Sequence, residues 1–211
     1  LPGRFEEQIG FMEENSLDIC GTSIQLFNEK QEYSIWNYPK EDKDIKFLLM
    51  FMSTFAHPSV LMKKEIFNAL KYQEFKHAED YKLWTDIALS GFRMGNLNKV
   101  LLKYRYHSEQ TSKKNNYEQR TRAFEISQTY LNAINDETQN IALKIRKITA
   151  ISTPMLFNEL LKDIKAYSMK SNVGNEVSLN VIRALVRMAS PVNFKMFLVY
   201  RDNTKDMSRD L

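Results

Sequence analysis

Cysteine is almost absent from this 211-residue chain, where Cys20 stands alone. One thiol cannot build an internal disulfide framework, and a reducing, cytosolic compartment is the simpler expectation. No apolar run approaches the roughly 20 residues that cross a bilayer, and no signal-peptide pattern is visible. Glycine is scarce as well, with six residues and no cluster. A phosphate-cradling Walker loop and a G-x-G-x-x-G string are therefore both missing. So are a G-x-S-x-G nucleophile elbow and an H-E-x-x-H metal pair. Three histidines, His57, His77 and His107, lie 20 and 30 residues apart, which matches no compact zinc pattern.

What is present describes a folded protein. Hydrophobic residues make up 43% and charged residues 27%, a balance that excludes a disordered chain. The length suits one large domain, or one domain with an appendage. Charge is unevenly spread: residues 1–112 hold 14 basic and 16 acidic side chains, residues 113–211 hold 16 and 10. A basic second half suits an anionic partner or, more plainly, a solvated helical surface. Its Lys113–Lys114 pair lacks the interleaved aromatics of a single-strand nucleic-acid platform, so no nucleic-acid partner is expected.

Periodicity divides the chain at SKKNN, residues 112–116. Before it, RFEEQIGFMEE (4–14) has helical spacing, residues 17–27 and 32–38 read as two strands, and DKDIKFLLMFM (42–52) reads as an apolar helix. Residues 59–62 read as a short buried strand entered through Pro58, and 63–70 as a turn of helix. AEDYKLWTDIALSG is a strong helix, with Tyr81, Trp84, Ile87 and Ala88 on one face and Gly91 at the expected C-cap. FRMGNLNKVLLKYRYH reads as one or two strands. From about Tyr117 onward the pattern is helical throughout. The expected fold is mixed α/β over 1–112, followed by a helical region over 113–211.

Acids in the stretch KHAEDYKLW admit two readings. A helix N-terminus favours carboxylates because its first N–H groups are unpaired and its dipole is positive there. Glu79 and Asp80 are also candidates for base chemistry. Asp42-Lys43-Asp44 is a literal D-x-D that could hold a divalent cation, but it opens a helix, where acids are expected anyway. His107, at a strand end, is better placed than the other histidines to face a cleft.

The order of RFEEQIGFMEENSLDICGTSIQLF, HPSVLMKKEIF and AEDYKLWTDIALSGFRMGNLNKVLLKYRYHSEQTS resembles the second half of a family 2 glycosyltransferase domain, the inverting group with the GT-A fold. The likeness covers residues 1–112, and its most specific piece is E-D-Y-x-L-W followed by a helix, a glycine and a strand ending in Y-R-x-H. It implies that Asp80 is the general base, with Glu79 beside it. His57, Ser59 and Trp84 would flank the acceptor, although Trp84 equally reads as core. Arg105 and His107 would meet the donor's diphosphate, with His107 near its metal, and Arg105 facing solvent is the plain alternative.

The implied partners are a nucleotide-diphosphate sugar and a sugar or lipid-linked acceptor. A Mg²⁺ or Mn²⁺ ion is expected for the complete enzyme, acting in cell-envelope polysaccharide or glycan synthesis. The family's nucleotide-binding half and its D-x-D would precede Leu1, so this chain alone is expected to be inactive. Cytoplasmic location, reaching to the inner face of the membrane, goes with that reading. The rival from another class is a non-enzymatic helical module. Its VSLNVIRALVRMASPVNFKMFLVYR segment, with Arg183, Arg187, Lys195 and Arg201, would bind a protein or an anionic membrane surface.

Overall fold

A computed structural model describes residues 1–29, 31–106, 116–150 and 154–173. The chain forms two compact units, Leu1–Ile126 and Ser127–Leu211. Elements follow in the order α1 (Arg4–Glu14), β1 (Ile19–Phe27), β2 (Glu32–Trp36), α2 (Asp42–Leu48), a 3₁₀ turn (His57–Ser59), β3 (Leu61–Met62), α3 (Lys64–Ala69), α4 (Glu79–Leu89) and β4 (Met94–Arg105). Helices α5 (Asn116–Ile134), α6 (Asp136–Ala150) and α7 (Pro154–Lys170) complete the described chain. The architecture is mixed α/β, as its sequence pattern implied.

Strand β1 is the axis of the first unit. On one edge it pairs antiparallel with β3 through Ile19 and Cys20 and with β2 through Ile24 to Phe27. On the other it pairs parallel with β4, from Ile19↔Met94 to Phe27↔Arg105. Flanked on both edges, β1 is buried along nearly its whole length, which explains a run of small and apolar residues without clean alternation. Twelve residues of β4 face nine of β1, and the register slips on either side of Ser23 to absorb the excess.

Two apolar clusters sit along this strand. Met12 of α1 packs with Leu17 and Cys20, joined by Phe11, Leu61 and Leu97. Ile24, Leu26 and Ala56 form the second, with Tyr38, Leu102 and Tyr104 against them. A polar bolt holds α1 in place: the fully buried Gln8 donates from Nε2 to Cys20 O and to Ser59 O, each at 3.0 Å.

A second bolt lies inside the sheet. Asn96, fully buried in β4, donates from Nδ2 to Pro39 O at 2.8 Å and to Thr54 O at 3.1 Å. Its own N–H reaches Lys40 O at 3.2 Å. Gly21 on β1 makes room for it, since a Cβ there would lie 2.2 Å from Asn96 Oδ1 and 2.7 Å from Phe55 Cδ1.

Several sequence expectations shift by local chemistry. Helix α2 stops at Leu48 instead of running to Met52, and the Leu49 carbonyl accepts a 2.7 Å bond from the Tyr81 hydroxyl. Residues 47–51 are buried on every side, so their composition shows no helical face to distinguish turn from helix. The strand expected at 59–62 shrinks to Leu61–Met62, because Pro58 lies within a 3₁₀ turn closed by Ser59 Oγ on Ala56 O at 2.8 Å. FRMGNLNKVLLKYRYH yields one strand, β4. Gly91 has φ +81° just past α4 and ends that helix as expected.

In the second unit α6 and α7 pack together through Ile141, Ala142, Ile145, Phe157, Leu160, Leu161 and Ile164, all buried. Asn135 caps α6 reciprocally with Thr138: its Oδ1 accepts the Thr138 N–H at 3.0 Å, and its N–H reaches Thr138 Oγ1 at 3.1 Å. Lys144–Asp163 at 2.5 Å joins the two helices at the surface. The basic segment 177–201 lies outside the described residues. No described helix is long and apolar enough to cross a membrane.

Gly21→Ala should destabilise the first unit by about 1–3 kcal/mol through overpacking, read as a lower urea midpoint with an unchanged slope. An unchanged midpoint would show that Asn96 yields freely to the added methyl.

Candidate active site

Helix α4 begins without a side-chain cap. Ala78 occupies the N-cap position with φ −145° and offers no acceptor. Asp80, in the first turn, supplies one: its Oδ1 accepts the Tyr81 N–H at 2.7 Å. Its neighbour Glu79 is exposed, whereas Asp80 is half-buried. Burial pushes the Asp80 carboxyl above the usual aspartate range, against the pull of the Tyr81 N–H and of His57, and with a further push from Glu79. Of the two first-turn acids, Asp80 is therefore a stronger base than a solvated aspartate.

Besides α4 itself, three segments bring side chains to it. One turn along α4, Trp84 is fully buried, with its ring 5.4 Å from Phe55 and 5.8 Å, edge on, from His57. His57 enters the 3₁₀ turn and is exposed; its Nε2 lies 2.8 Å from the Tyr72 hydroxyl. Tyr72 comes from the irregular stretch between α3 and α4, and burial together with the charges of Asp80 and Glu79 pushes its hydroxyl up. Tyr38, on the β2–α2 connection, is pushed up to about 12 by burial, by Tyr104 and by Asp80. Both phenols thus stay protonated at neutral pH and are able to donate a hydrogen bond.

The arrangement is a proton-accepting carboxylate, partly withdrawn from water, with an imidazole and two phenols in its field. Such a set can orient a hydroxyl-bearing ligand and take its proton. Of the side chains brought together here, sequence reasoning named Asp80, Glu79 and His57 and did not name Tyr38 and Tyr72. Both lie in irregular segments, where no periodicity marks a residue as facing a site.

The remaining sequence candidates are placed differently. Ser59 is fully buried, with its hydroxyl on Ala56 O and its Oγ accepting the Thr22 N–H at 3.1 Å. Trp84 is core, so of the three acceptor-side candidates only His57 has exposed surface. Arg105 is exposed at the end of β4, and strand alternation sets it on the face opposite Tyr104. His107 lies outside the described residues. Among the described residues no group of three or more His, Cys, Asp or Glu side chains is placed to hold a metal. Asp42, first of the D-x-D acids, accepts the Met94 N–H on Oδ1 and bonds Lys46 through Oδ2, each at 2.8 Å. Its carboxylate joins the first turn of α2 to β4.

No protein-family model matches the chain. Curated proteins do. The chain is 38% identical over 119 residues to the O-antigen biosynthesis glycosyltransferase WbnJ of Escherichia coli, covering 54% of this chain and 46% of that protein. It is 32% identical over 116 residues to the amylovoran biosynthesis glycosyltransferase AmsE of Erwinia amylovora, covering 54% and 44%. A protein of Haemophilus influenzae named an uncharacterized glycosyltransferase is 26% identical over 185 residues, covering 77% and 55%. All three relatives are named glycosyltransferases. The chain spans about half the length of the curated relatives it matches.

The raised Asp80 carboxyl has a consequence for stability. Between the ordinary aspartate value of about 3.9 and its raised value, the folded chain binds more protons than the unfolded one. Stability from this group is therefore greatest below the ordinary value and falls as pH rises through the raised one. Asp80→Asn removes that dependence, so its stability relative to the parent should rise from pH 4 to pH 7 in urea unfolding. A relative stability that stays constant, or that falls from pH 4 to pH 7, would show that burial does not govern this carboxyl.

Proposed function

We propose that this chain is the acceptor-side portion of an inverting, family 2 glycosyltransferase with the GT-A fold, and that Asp80 is its general base. The observation that carries the reading is the half-buried Asp80 carboxylate at the start of α4, held in one neighbourhood with His57, Tyr72 and Tyr38. Similarity to proteins named glycosyltransferases supports it. So does the E-D-Y-x-L-W context of the two acids.

In this mechanism an acceptor hydroxyl rests against Asp80. Its oxygen attacks the anomeric carbon of the donor sugar from the face opposite the leaving group, and its proton passes to the carboxylate. The new oxygen–carbon bond forms as the bond to the nucleoside diphosphate breaks, and the leaving phosphate takes the electron pair. Glu79 keeps the local potential negative and the base strong. Tyr38, Tyr72 and His57 hold the acceptor, while Arg105 and His107 meet the diphosphate. The donor is a nucleotide-diphosphate sugar, and the acceptor is a sugar or a lipid-linked sugar of a cell-envelope polysaccharide, met on the cytoplasmic side of the membrane. A divalent cation belongs to the complete enzyme in this reading; the described residues do not fit one, and no step above runs through it.

In the complete enzyme Asp80→Asn should lower kcat by about 10²–10⁴-fold, the usual worth of a general base, with the circular dichroism spectrum unchanged. Undiminished transfer would remove Asp80 from the chemistry. A second measurement concerns the donor. Thermal unfolding of this chain with a panel of nucleoside diphosphates and Mn²⁺ should show no midpoint shift. Any ligand bound only by the folded state must raise the midpoint, so a clear rise with one nucleotide would place a donor site within this chain.

A further inference from the structure

The backbone enters α4 through a residue held in an unfavourable conformation. His77 has φ +68°, in the left-handed region that glycine adopts freely and other residues adopt at a cost. It directly precedes Ala78, the uncapped N-cap of α4, and stands three residues before Asp80. Such a conformation persists only where its surroundings enforce it.

The first turn of α5 contacts this residue on one flank. Gln119 Nε2 donates to the His77 carbonyl at 2.9 Å. The His77 ring, 14% exposed, lies with Nε2 at 3.7 Å from Glu118 Oε2. On the other flank the segment leading to His77 is tied to α4 itself. Ala78 N–H donates to Phe75 O at 2.9 Å, Gln73 Nε2 reaches Asp86 Oδ2 at 3.1 Å, and the Lys82 ammonium stands 5.8 Å from the centre of the Phe75 ring. The contacts on the α4 side connect neighbours in sequence. Those from Glu118 and Gln119 come from about 40 residues away in the chain.

Where a helix starts decides where its first-turn side chains point. A slip of one residue turns each of them by about 100° around the axis, which would carry Asp80 away from His57 and Tyr72. We infer that Glu118 and Gln119 are positioning residues for Asp80, holding His77 in the left-handed conformation that fixes the first residue of α4. The start of the helical region thereby has a role in the site without touching a ligand. The catalytic consequence rests on Asp80 being the base, while the geometric claim does not.

The test reads the Asp80 carboxyl directly, by carbon-detected NMR titration of the whole chain, with amide hydrogen exchange over residues 78–82. In Gln119→Ala the Asp80 titration midpoint should fall toward the ordinary carboxylate range and exchange at 78–82 should quicken, with β1 amides unaffected. Gln119→Lys, which keeps a donor for the His77 carbonyl, should restore both. An unchanged midpoint in Gln119→Ala would overturn the inference and leave α5 merely docked on the domain. Loss of protection across the whole unit in a folded variant would do the same. Should Gln119→Ala not fold, Gln119→Met keeps the side-chain volume without the donor and is read in the same way. In the complete enzyme the Gln119→Ala variant should lose about ten-fold or more in kcat at unchanged KM, the scale of a misplaced catalytic group. If Asp80→Asn spares transfer, the base assignment falls, and the NMR result still decides whether α5 aims this carboxylate.

Discussion

The side-chain amide of Asn96 donates from inside the sheet to the carbonyls of Pro39 and Thr54. The two segments it captures carry Tyr38 and the run from Phe55 to His57. Without that amide neither irregular segment has a regular ladder to fix it against β4, and both supply groups around Asp80. Gly21 is part of the same constraint, since a glycine on β1 is what lets the amide approach. The cluster around Asp80 is therefore tied to a polar contact made in the middle of the sheet, at a distance in sequence from the cluster's own members. Each of the two carbonyls is bonded by the buried Asn96 Nδ2, and a buried donor left without a partner costs about 1–3 kcal/mol, which ties both segments to one place on the sheet.

At the opening acids of α4, a structural role and the proposed chemical one fall on one position. The helix needs an acceptor because Ala78 provides none, and Asp80 provides it through its bond to Tyr81 N–H. That bond favours the charged form, yet burial outweighs it. Glu79, one residue earlier and exposed, serves the helix dipole and the local potential. The same turn thus separates two adjacent carboxylates by environment, one solvated and one withdrawn, which is how neighbouring acids acquire different tasks.

Sequence pattern made the helices legible wherever one face was apolar and the other polar: α1, α4, α6 and α7 all announce themselves, and Gly91 marks its boundary. It failed where burial is uniform. Residues 47–51 carry no polar face, so nothing in their composition tells a helix from the turn that Tyr81 closes. It failed also where one side chain makes the local rule, as Ser59 does by folding back on Ala56. Of the site, Asp80, Glu79 and His57 could be proposed from a motif and its context. Tyr38 and Tyr72 could not, because their relevance arises only when the Asn96 bolt and the loop before α4 bring them together. The parallel pairing of β1 with β4 was equally invisible, since it joins stretches more than 70 residues apart, from Ile19↔Met94 to Phe27↔Arg105.

Cys20 lies fully buried under α1, among Met12, Leu17, Phe11, Leu61 and Leu97, and burial pushes its thiol up from the usual value. A protonated, enclosed sulfur is nearly inert toward alkylating reagents. It becomes reactive only in those moments when α1 lifts from the sheet. Because the chain has no other thiol, the rate at which it takes up a maleimide counts those openings one by one. The protein carries its own gauge of breathing at this face, with no label to engineer.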